Sequence, residues 1–401
     1  MRSFRDMPEE LVVQVCEEFL ADRAQLEPNT RAGAERVGRA AQRSGQAICS
    51  DLNARWKEAG KGWEISREDL YSVLGEAWRR GLFSVTPRPQ DALQKKLGIA
   101  YELPSDVRDR IRVVATESPL PDHVANHTAQ VILDLLRDFK RRGKSRVHLG
   151  LGAGWTTRVV AYHLAMLLRE ERSDMPNLTL HAISPGFAVD HTRTAPVGFF
   201  GFFERVMPEF EGIRSEIEWV GLFGPPFAAC REYAAVTRQP GVIEAFERKQ
   251  QIDLVVTSLA SAADVHGGLL RSVGRNSKPA LKALEKARWL GDVQHRPFNA
   301  AGPILEKHGN RAVALFELDE LVELAQQPDK AVVLVSPICG GCGYTRAQAL
   351  VPLLRNPKLK LWSHLITDLH TARELLDLAE DPQAPRRRAA ASNLGGLSWS
   401  E

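Results

Sequence analysis

Two glycine-rich turns define the chemistry open to this chain. The first reads Gly150-Leu-Gly152-Ala-Gly154-Trp-Thr156-Thr157 and stands between a short apolar run and an amphipathic stretch over Gly154–Arg169. Without Cβ atoms the backbone can approach a phosphate closely, and the amides and dipole of a helix N-terminus favour its charge. Thr156 and Thr157 add hydroxyls at the same place. Taken alone, the pattern fits a dinucleotide, a methyl donor, a sugar phosphate or only a tight turn. The second turn, Pro337-Ile338-Cys339-Gly340-Gly341-Cys342-Gly343-Tyr344-Thr345-Arg346, follows Val332–Ser336 and brings a guanidinium to the start of the next helix. Between the two lie Thr257-Ser258-Leu259-Ala260-Ser261, small and hydroxylated, and Gly291-Asp292-Val293, whose carboxylate suits a sugar hydroxyl. Together Gly150, Gly152, Gly154, Thr156, Thr157, Ser258, Ser261, Asp292, Gly343 and Arg346 make a candidate pocket for a phosphorylated polyol.

The cysteines permit a second chemistry. Cys339 and Cys342 form a C-x-x-C at a strand end and helix start, where a thiolate is stabilised and a redox pair can form. The five cysteines, an odd number, do not make a disulfide framework. No second C-x-x-C or neighbouring Cys/His pair in the sequence completes a zinc site. His123 and His127, one helical turn apart, read as a solvated or subunit-facing side. Neither a metal nor a resident cofactor is expected.

These residues need elements to position them. From about Val107 the sequence alternates strands with helices. Apolar strand candidates are Ile111–Ala115, Arg146–Leu151, Leu178–Ile183, Ile217–Val220, Ile252–Ser258, Ala312–Phe316, Ala331–Ser336 and Leu361–Ile366. Helices are expected at His123–Arg142, Gly154–Arg169, Val242–Arg248, Thr345–Arg355 and Thr367–Ala379. Such alternation predicts a doubly wound α/β fold with a mainly parallel sheet, and ligands beyond the carboxyl ends of its strands.

Residues 1–100 read as helical instead. Leu11, Val12, Val15 and Phe19 repeat at helical spacing, and a second helical region covers Thr30–Ala59. Ser66–Gly81 is the best-defined helix, with a Ser66/Asp69 capping box, an apolar stripe of Leu70, Val73, Leu74, Ala77 and Trp78, and terminal Arg79 and Arg80. A short strand, Leu82–Thr86, follows, so the region reads as a winged helix-turn-helix with Ser66, Arg67, Tyr71, Arg79 and Arg80 as DNA-facing candidates. Charge supports this in part: residues 1–98 carry 16 Lys/Arg against 15 Asp/Glu, but Arg31–Lys61 carries 7 against 3. A helical dimerisation or docking module is the alternative. The net charge of +3 indicates no particular polyanionic partner. With no apolar run near 20 residues and no cleavable signal pattern, the expectation is a cytoplasmic protein without a membrane partner. Residues 382–401 lack periodicity and read as a disordered tail.

Residues 65–376 resemble the SorC family of transcriptional regulators, whose effector domain is related to DeoR-type and ribose-5-phosphate isomerase/CoA-transferase-like folds. The family's G-x-G-x-G-x-T turn stands as Gly150 to Thr156, and a G-D-hydrophobic segment followed by Phe stands as Gly291-Asp292-Val293 and Phe298-Asn299-Ala300-Ala301-Gly302. Asp253-Leu254-Val255-Val256 resembles the strand before another ligand loop, and Leu365-Ile366-Thr367-Asp368-Leu369-His370-Thr371-Ala372 the family's L-x-T-D-x-x-T-A. The resemblance implies a DNA-binding domain over 1–100, a sugar-phosphate-binding domain over 107–381, an operator and a phosphorylated effector as partners, and a homo-oligomer, dimer or tetramer. The chain departs from the family pattern in three places. Ser258 and Ala260 replace loop glycines, Arg346 stands where a Lys is usual, and extra sequence lies around Asn53–Trp63.

An enzyme remains the competing class. A methyltransferase or dinucleotide dehydrogenase would want an acidic residue ending the strand at Leu178–Ile183, which continues as Ser184-Pro185-Gly186. An isomerase could use Asp292 and Asp264 as bases, but it leaves the helical region unexplained. A protein-binding sensor on the same fold would turn that region toward a protein.

Overall fold

The computed structural model describes residues 4–24, 43–79, 82, 87, 89–116, 121–170, 175–185, 193–204, 217–271, 278–305 and 309–387. The chain divides between Val85 and Thr86 into two compact units. The strand expected at Leu82–Thr86, Arg80 and residues 30–42 of the second helical region fall largely or wholly outside the described residues.

Among its described residues the first unit has three helices, α1 (Glu9–Ala24), α2 (Gly45–Glu58) and α3 (Arg67–Arg79). Leu11, Val12 and Val15 of α1 pack with Ile48, Leu52 and Trp56 of α2 and with Leu70, Val73 and Ala77 of α3, all buried. The expected capping box forms. Asp69 Oδ2 accepts from Ser66 N at 3.0 Å, and Ser66 Oγ accepts from Asp69 N at 3.2 Å. The extra sequence between α2 and α3 is held by Asn53, whose side chain donates to Ile65 O (2.8 Å) and accepts from Ile65 N (2.9 Å).

In the second unit seven strands run parallel in the order β1-β12-β11-β6-β2-β3-β4. They are β1 (Ile111–Val114), β2 (Arg146–Leu151), β3 (Asn177–Ala182), β4 (Ile217–Val220), β6 (Leu254–Ser261), β11 (Ala331–Ser336) and β12 (His364–Asp368). The central strands are Val/Leu/Ile runs because helices cover both faces. Helix Asp122–Arg141 links β1 to β2 and Trp155–Glu170 links β2 to β3, moving one way along the sheet. Helices Ala347–Arg355 and Leu369–Glu380 follow β11 and β12, where the chain moves the other way. Right-handed crossovers therefore place the two sets on opposite faces. The reversal falls between the adjacent strands β2 and β6. A parallel sheet leaves a crevice at such a point, beyond the carboxyl ends of its strands.

The structure adds elements and corrects others. Helix Asp91–Ala100, grouped with the N-terminal helices in the sequence, belongs to the second unit: Gln94 Oε1 accepts from Val113 N of β1 at 3.1 Å. The strand expected over Ala312–Phe316 is β10 (Asn310–Ala312), paired with β5 (Phe227–Ala229); residues 313–316 instead cross the end of β3, where Leu315 N donates to Ile183 O at 2.9 Å. β6 runs on to Ser261 because an antiparallel excursion, β7 (Gly291–Val293), β8 (Arg296–Asn299) and β9 (Gly302–Pro303), adds to its far end. Residues 382–387 are docked, not loose. Ala384 is buried, and Arg387 binds Glu374 and Asp377 of the last helix. The rest of that segment lies outside the described residues. No helix among the described residues is long and apolar enough to cross a membrane.

Candidate functional site

Gly150 lies within β2, where a Cβ would stand 2.8 Å from Ile183 Cγ2, so this glycine serves packing. Gly152 and Gly154 make the turn. A Cβ on Gly152 would stand 3.0 Å from Thr257 Oγ1, and Gly154 adopts φ +128, which favours glycine. The turn's own amides are occupied: Gly152 N donates to Val256 O (2.9 Å), Ala153 N to Ser184 Oγ (3.2 Å) and Gly154 N to Thr194 O (3.0 Å). Anion donors here are therefore the opening amides of helix Trp155–Glu170, which no helix pairs internally, together with Thr156 and Thr157. Both threonines are buried, and Thr157 Oγ1 has no hydrogen-bond partner within the protein. The Arg158 guanidinium, one residue on, lies over the rings of Trp155 (4.9 Å) and Phe202 (5.2 Å), and burial with the nearby Arg193 charge lowers its pKa.

The β7–β8 hairpin extends the far end of β6. Val293 pairs with Arg296, so Gln294 and His295 alone form the turn, with φ +51 and +65. This is the geometry of a type I′ turn, which prefers Asn-Gly because both residues sit in the left-handed region. Here both are bulky, and Gln294 is buried with neither Oε1 nor Nε2 partnered. Beside it, Asp292 is 3% exposed; Oδ1 lies 3.6 Å from His295 Nδ1, and Oδ2 has no partner. Burial raises the Asp292 pKa, the charge of Asp264 adds to the rise, and His295 opposes it. Ser336 Oγ, ending β11, is likewise buried and unpartnered. Buried polar atoms are normally satisfied; among the described residues Thr157, Asp292, Gln294 and Ser336 carry open ones at or just beyond the ends of β2, β7 and β11, and others lie elsewhere, on His127, His163 and His181.

The hairpin depends on Gly291. A Cβ there would meet Ala260 O at 2.6 Å, Ala349 Cβ at 2.8 Å and Phe298 Cζ at 3.0 Å. Since one of these is backbone, Gly291→Ala is expected to cost about 2–3 kcal/mol and to displace Asp292 and Gln294. Urea unfolding checks the first effect and ligand binding the second; wild-type values for both would refute the placement.

The remaining candidates have mostly structural duties. Ser258 lies in β6, its Oγ 3.5 Å from where a Gly154 Cβ would stand, and Ser261 Oγ accepts from Ala263 N at 3.3 Å. Gly343 (φ +74) closes the cysteine loop by donating to Cys339 O at 2.8 Å. Arg346 directs Nε and Nη2 to Asp264 Oδ2, each at 3.3 Å, so its charge is committed to an internal pair. Asp368, in the Thr-Asp-x-x-Thr segment, caps the last helix through Thr371 N (2.8 Å) and receives Ile338 N (2.6 Å), which ties the cysteine loop to β12. Burial pushes the Cys339 thiol up to about 11, away from the depressed range of reactive C-x-x-C thiols. Asp253, before the strand core of β6, accepts from His148 N (3.0 Å) and Lys144 Nζ (2.5 Å). Sequence reasoning missed Gln294, His295, Ser336, Arg158 and Arg193.

In the first unit Ser66, Arg67 and Tyr71 are exposed along one face of α3, and Tyr71 also meets Phe19 edge-on at 6.2 Å. Arg79 ends α3, and Arg80 lies outside the described residues. The basic stretch is largely paired where it is described: Arg43 and Arg55 each contact Glu18 at 2.6 Å, and Lys61 contacts Glu10 at 2.6 Å.

No protein-family model matches the chain, and no curated protein matches it in sequence. Solved structures do match in fold. The full-length sorbitol operon regulator SorC from Klebsiella pneumoniae aligns with a TM-score of 0.51 and 13% identity, covering 92% of this chain and 98% of its own. A transcriptional regulator from Streptococcus pneumoniae TIGR4 gives 0.51 at 15% identity, covering 72% and 97% respectively. A DeoR family transcriptional regulator from Listeria monocytogenes gives 0.50 at 16% identity, covering 71% and 98%. At these identities the likeness is one of fold: the chain has the α/β architecture of SorC- and DeoR-type regulators.

Proposed function

We propose that the chain is a ligand-responsive DNA-binding regulator whose second unit binds a phosphorylated sugar or a related metabolite. The reading is carried by the buried, unpartnered polar atoms of Thr157, Asp292, Gln294 and Ser336 around the sheet's switch point. The helix opening at Trp155, with Thr156, Thr157, Arg158 and Arg193, supplies the phosphate end. Asp292 and Gln294 supply the hydroxyl-reading end. The fold shared with the sorbitol operon regulator supports a transcriptional role for the assembly. The effector acts only as far as it binds two states of the protein with different affinity.

A thermal-shift screen of phosphorylated and unphosphorylated sugars tests the pocket. A ligand at 100 times its dissociation constant stabilises by about 2.7 kcal/mol. Thr157→Val should abolish that shift without lowering the stability of the free protein, since it removes a buried hydroxyl that has no partner. A variant that keeps the full shift would sink the assignment. Binding to upstream DNA should weaken with salt, with a log–log slope of about −0.9 per phosphate neutralised, and should change on adding the effector. Turnover of a pentose phosphate, lost in Asp292→Asn, would favour the isomerase alternative instead.

A further inference from the structure

The loop after β11 and the loop after β6 bring Cys339, Cys342 and His266 together, with their two sulfurs and one imidazole nitrogen all within 4.8 Å of one another. We propose that this trio binds a thiophilic divalent cation of the zinc class, with water in the fourth tetrahedral position.

The loop is shaped for that task. Cys339 N donates to Tyr344 O at 2.9 Å, and Gly343, in the left-handed region, donates to Cys339 O at 2.8 Å. The Cys342 backbone N–H is directed at the Cys339 sulfur, which holds the two ends of the turn together. The imidazole lies close over Gly341, where a Cβ would stand 2.7 Å from His266 Nε2. Asp264 positions both strands of the site. Its Oδ1 accepts from the His266 N–H (2.9 Å) and lies 3.7 Å from Cys339 Sγ, while Arg346 holds Oδ2.

The chemistry balances. Two thiols release two protons to solvent as the dication binds, and the two thiolates neutralise its charge, while Asp264 and Arg346 neutralise each other. Zinc bonds of about 2.3 Å to sulfur and 2.0 Å to nitrogen require the trio to close by about 1 Å, within reach of side-chain rotation. One contact competes: Arg271 Nη2 lies 2.9 Å from His266 Nδ1, which places the neutral ring's proton on Nε2. Metal binding moves that proton to Nδ1 and releases Arg271.

Cobalt(II) titration of the reduced, metal-free full chain tests the proposal. One equivalent should bind and give the visible bands of a tetrahedral site and the sulfur-to-cobalt charge-transfer band of two thiolates, and zinc should displace it. Cys342→Ser should reduce that band to a single-thiolate intensity. His266→Ala should weaken binding by more than about 100-fold and Asp264→Asn by about 10-fold. Arg271→Ala should tighten binding, and Cys230→Ser should leave it unchanged. Thr157→Val should also leave it unchanged, which separates this site from the effector pocket. Absence of a thiolate band from the wild-type chain overturns the proposal, and that reading needs no variant to fold. So does a band unaltered in Cys342→Ser, or an oxidant-closed Cys339–Cys342 disulfide in a chain that binds no cobalt when reduced.

Discussion

Arg346→Met should destabilise the protein by about 3–5 kcal/mol, because it strands the Asp264 carboxylate in the interior. Asp264 is 2% exposed and Arg346 13%, and the 3.3 Å contacts to Oδ2 are the guanidinium's recorded bonds to it. Removing both charges is a different experiment. Asp264→Leu combined with Arg346→Met should recover most of the loss, since a buried pair replaced by apolar groups of similar size is near neutral. Chemical denaturation of the two single variants and the double variant checks this, and a fully additive double variant would show that the groups do not act as a pair. A lost ligand response in an Arg346 variant would therefore report a weakened fold, whereas Thr157→Val tests the proposed pocket.

The second large effect is on acid stability. Burial lowers the pKa of His181 to about 3, with the neighbouring His148 adding to the shift, and burial beside Arg110 and Arg112 lowers that of His364 to about 4. An unfolded histidine titrates near 6.5. Above that value both states are neutral at these sites, and the full stability is present. Below it the unfolded chain takes up protons that the folded chain refuses, so stability falls as pH drops from about 6.5 toward 4. Two such sites give a slope of about 2.7 kcal/mol per pH unit, enough to consume a typical stability of about 5–15 kcal/mol within a few units. Asp292 and Asp368 act with the opposite sign. Their raised pKa values let the folded state bind protons first, which softens the lower part of the window. Urea midpoints between pH 7 and 4.5 should show the decline, and His181→Gln should reduce its slope by about half. A flat profile would contradict the neutral burial of both rings.

What could be read from the sequence follows from what local patterns encode. The parallel strands were legible because a strand buried on both faces must be a continuous apolar run, as in Ala331–Ser336. Ser66 with Asp69 identified its own helix start for the same local reason. The β7–β9 excursion was not legible: its strands have three, four and two residues, and its turn is Gln294-His295 where Asn or Gly would have signalled a hairpin. The Arg346–Asp264 pair was not legible because Asp264 lies 82 residues away and carries no periodic signal. His266 joins Cys339 and Cys342 in the same long-range way. Thr156 and Thr157 stand next to the turn that announces them, so their place at the opening of a helix was legible locally.

The Gln294-His295 turn also sets a trap for anyone improving this protein. Each residue carries the left-handed backbone cost, of order 1–2 kcal/mol, and Gln294 adds an unpaired buried amide. Asn-Gly at the same two positions would relieve the strain, draw the Gln294 amide back by one methylene and remove the His295 imidazole. A library screened for heat resistance will therefore enrich hairpins that have lost the groups proposed above to read the effector. Selection for durability and selection for responsiveness pull this two-residue segment in opposite directions, so an engineered sensor has to be screened on both.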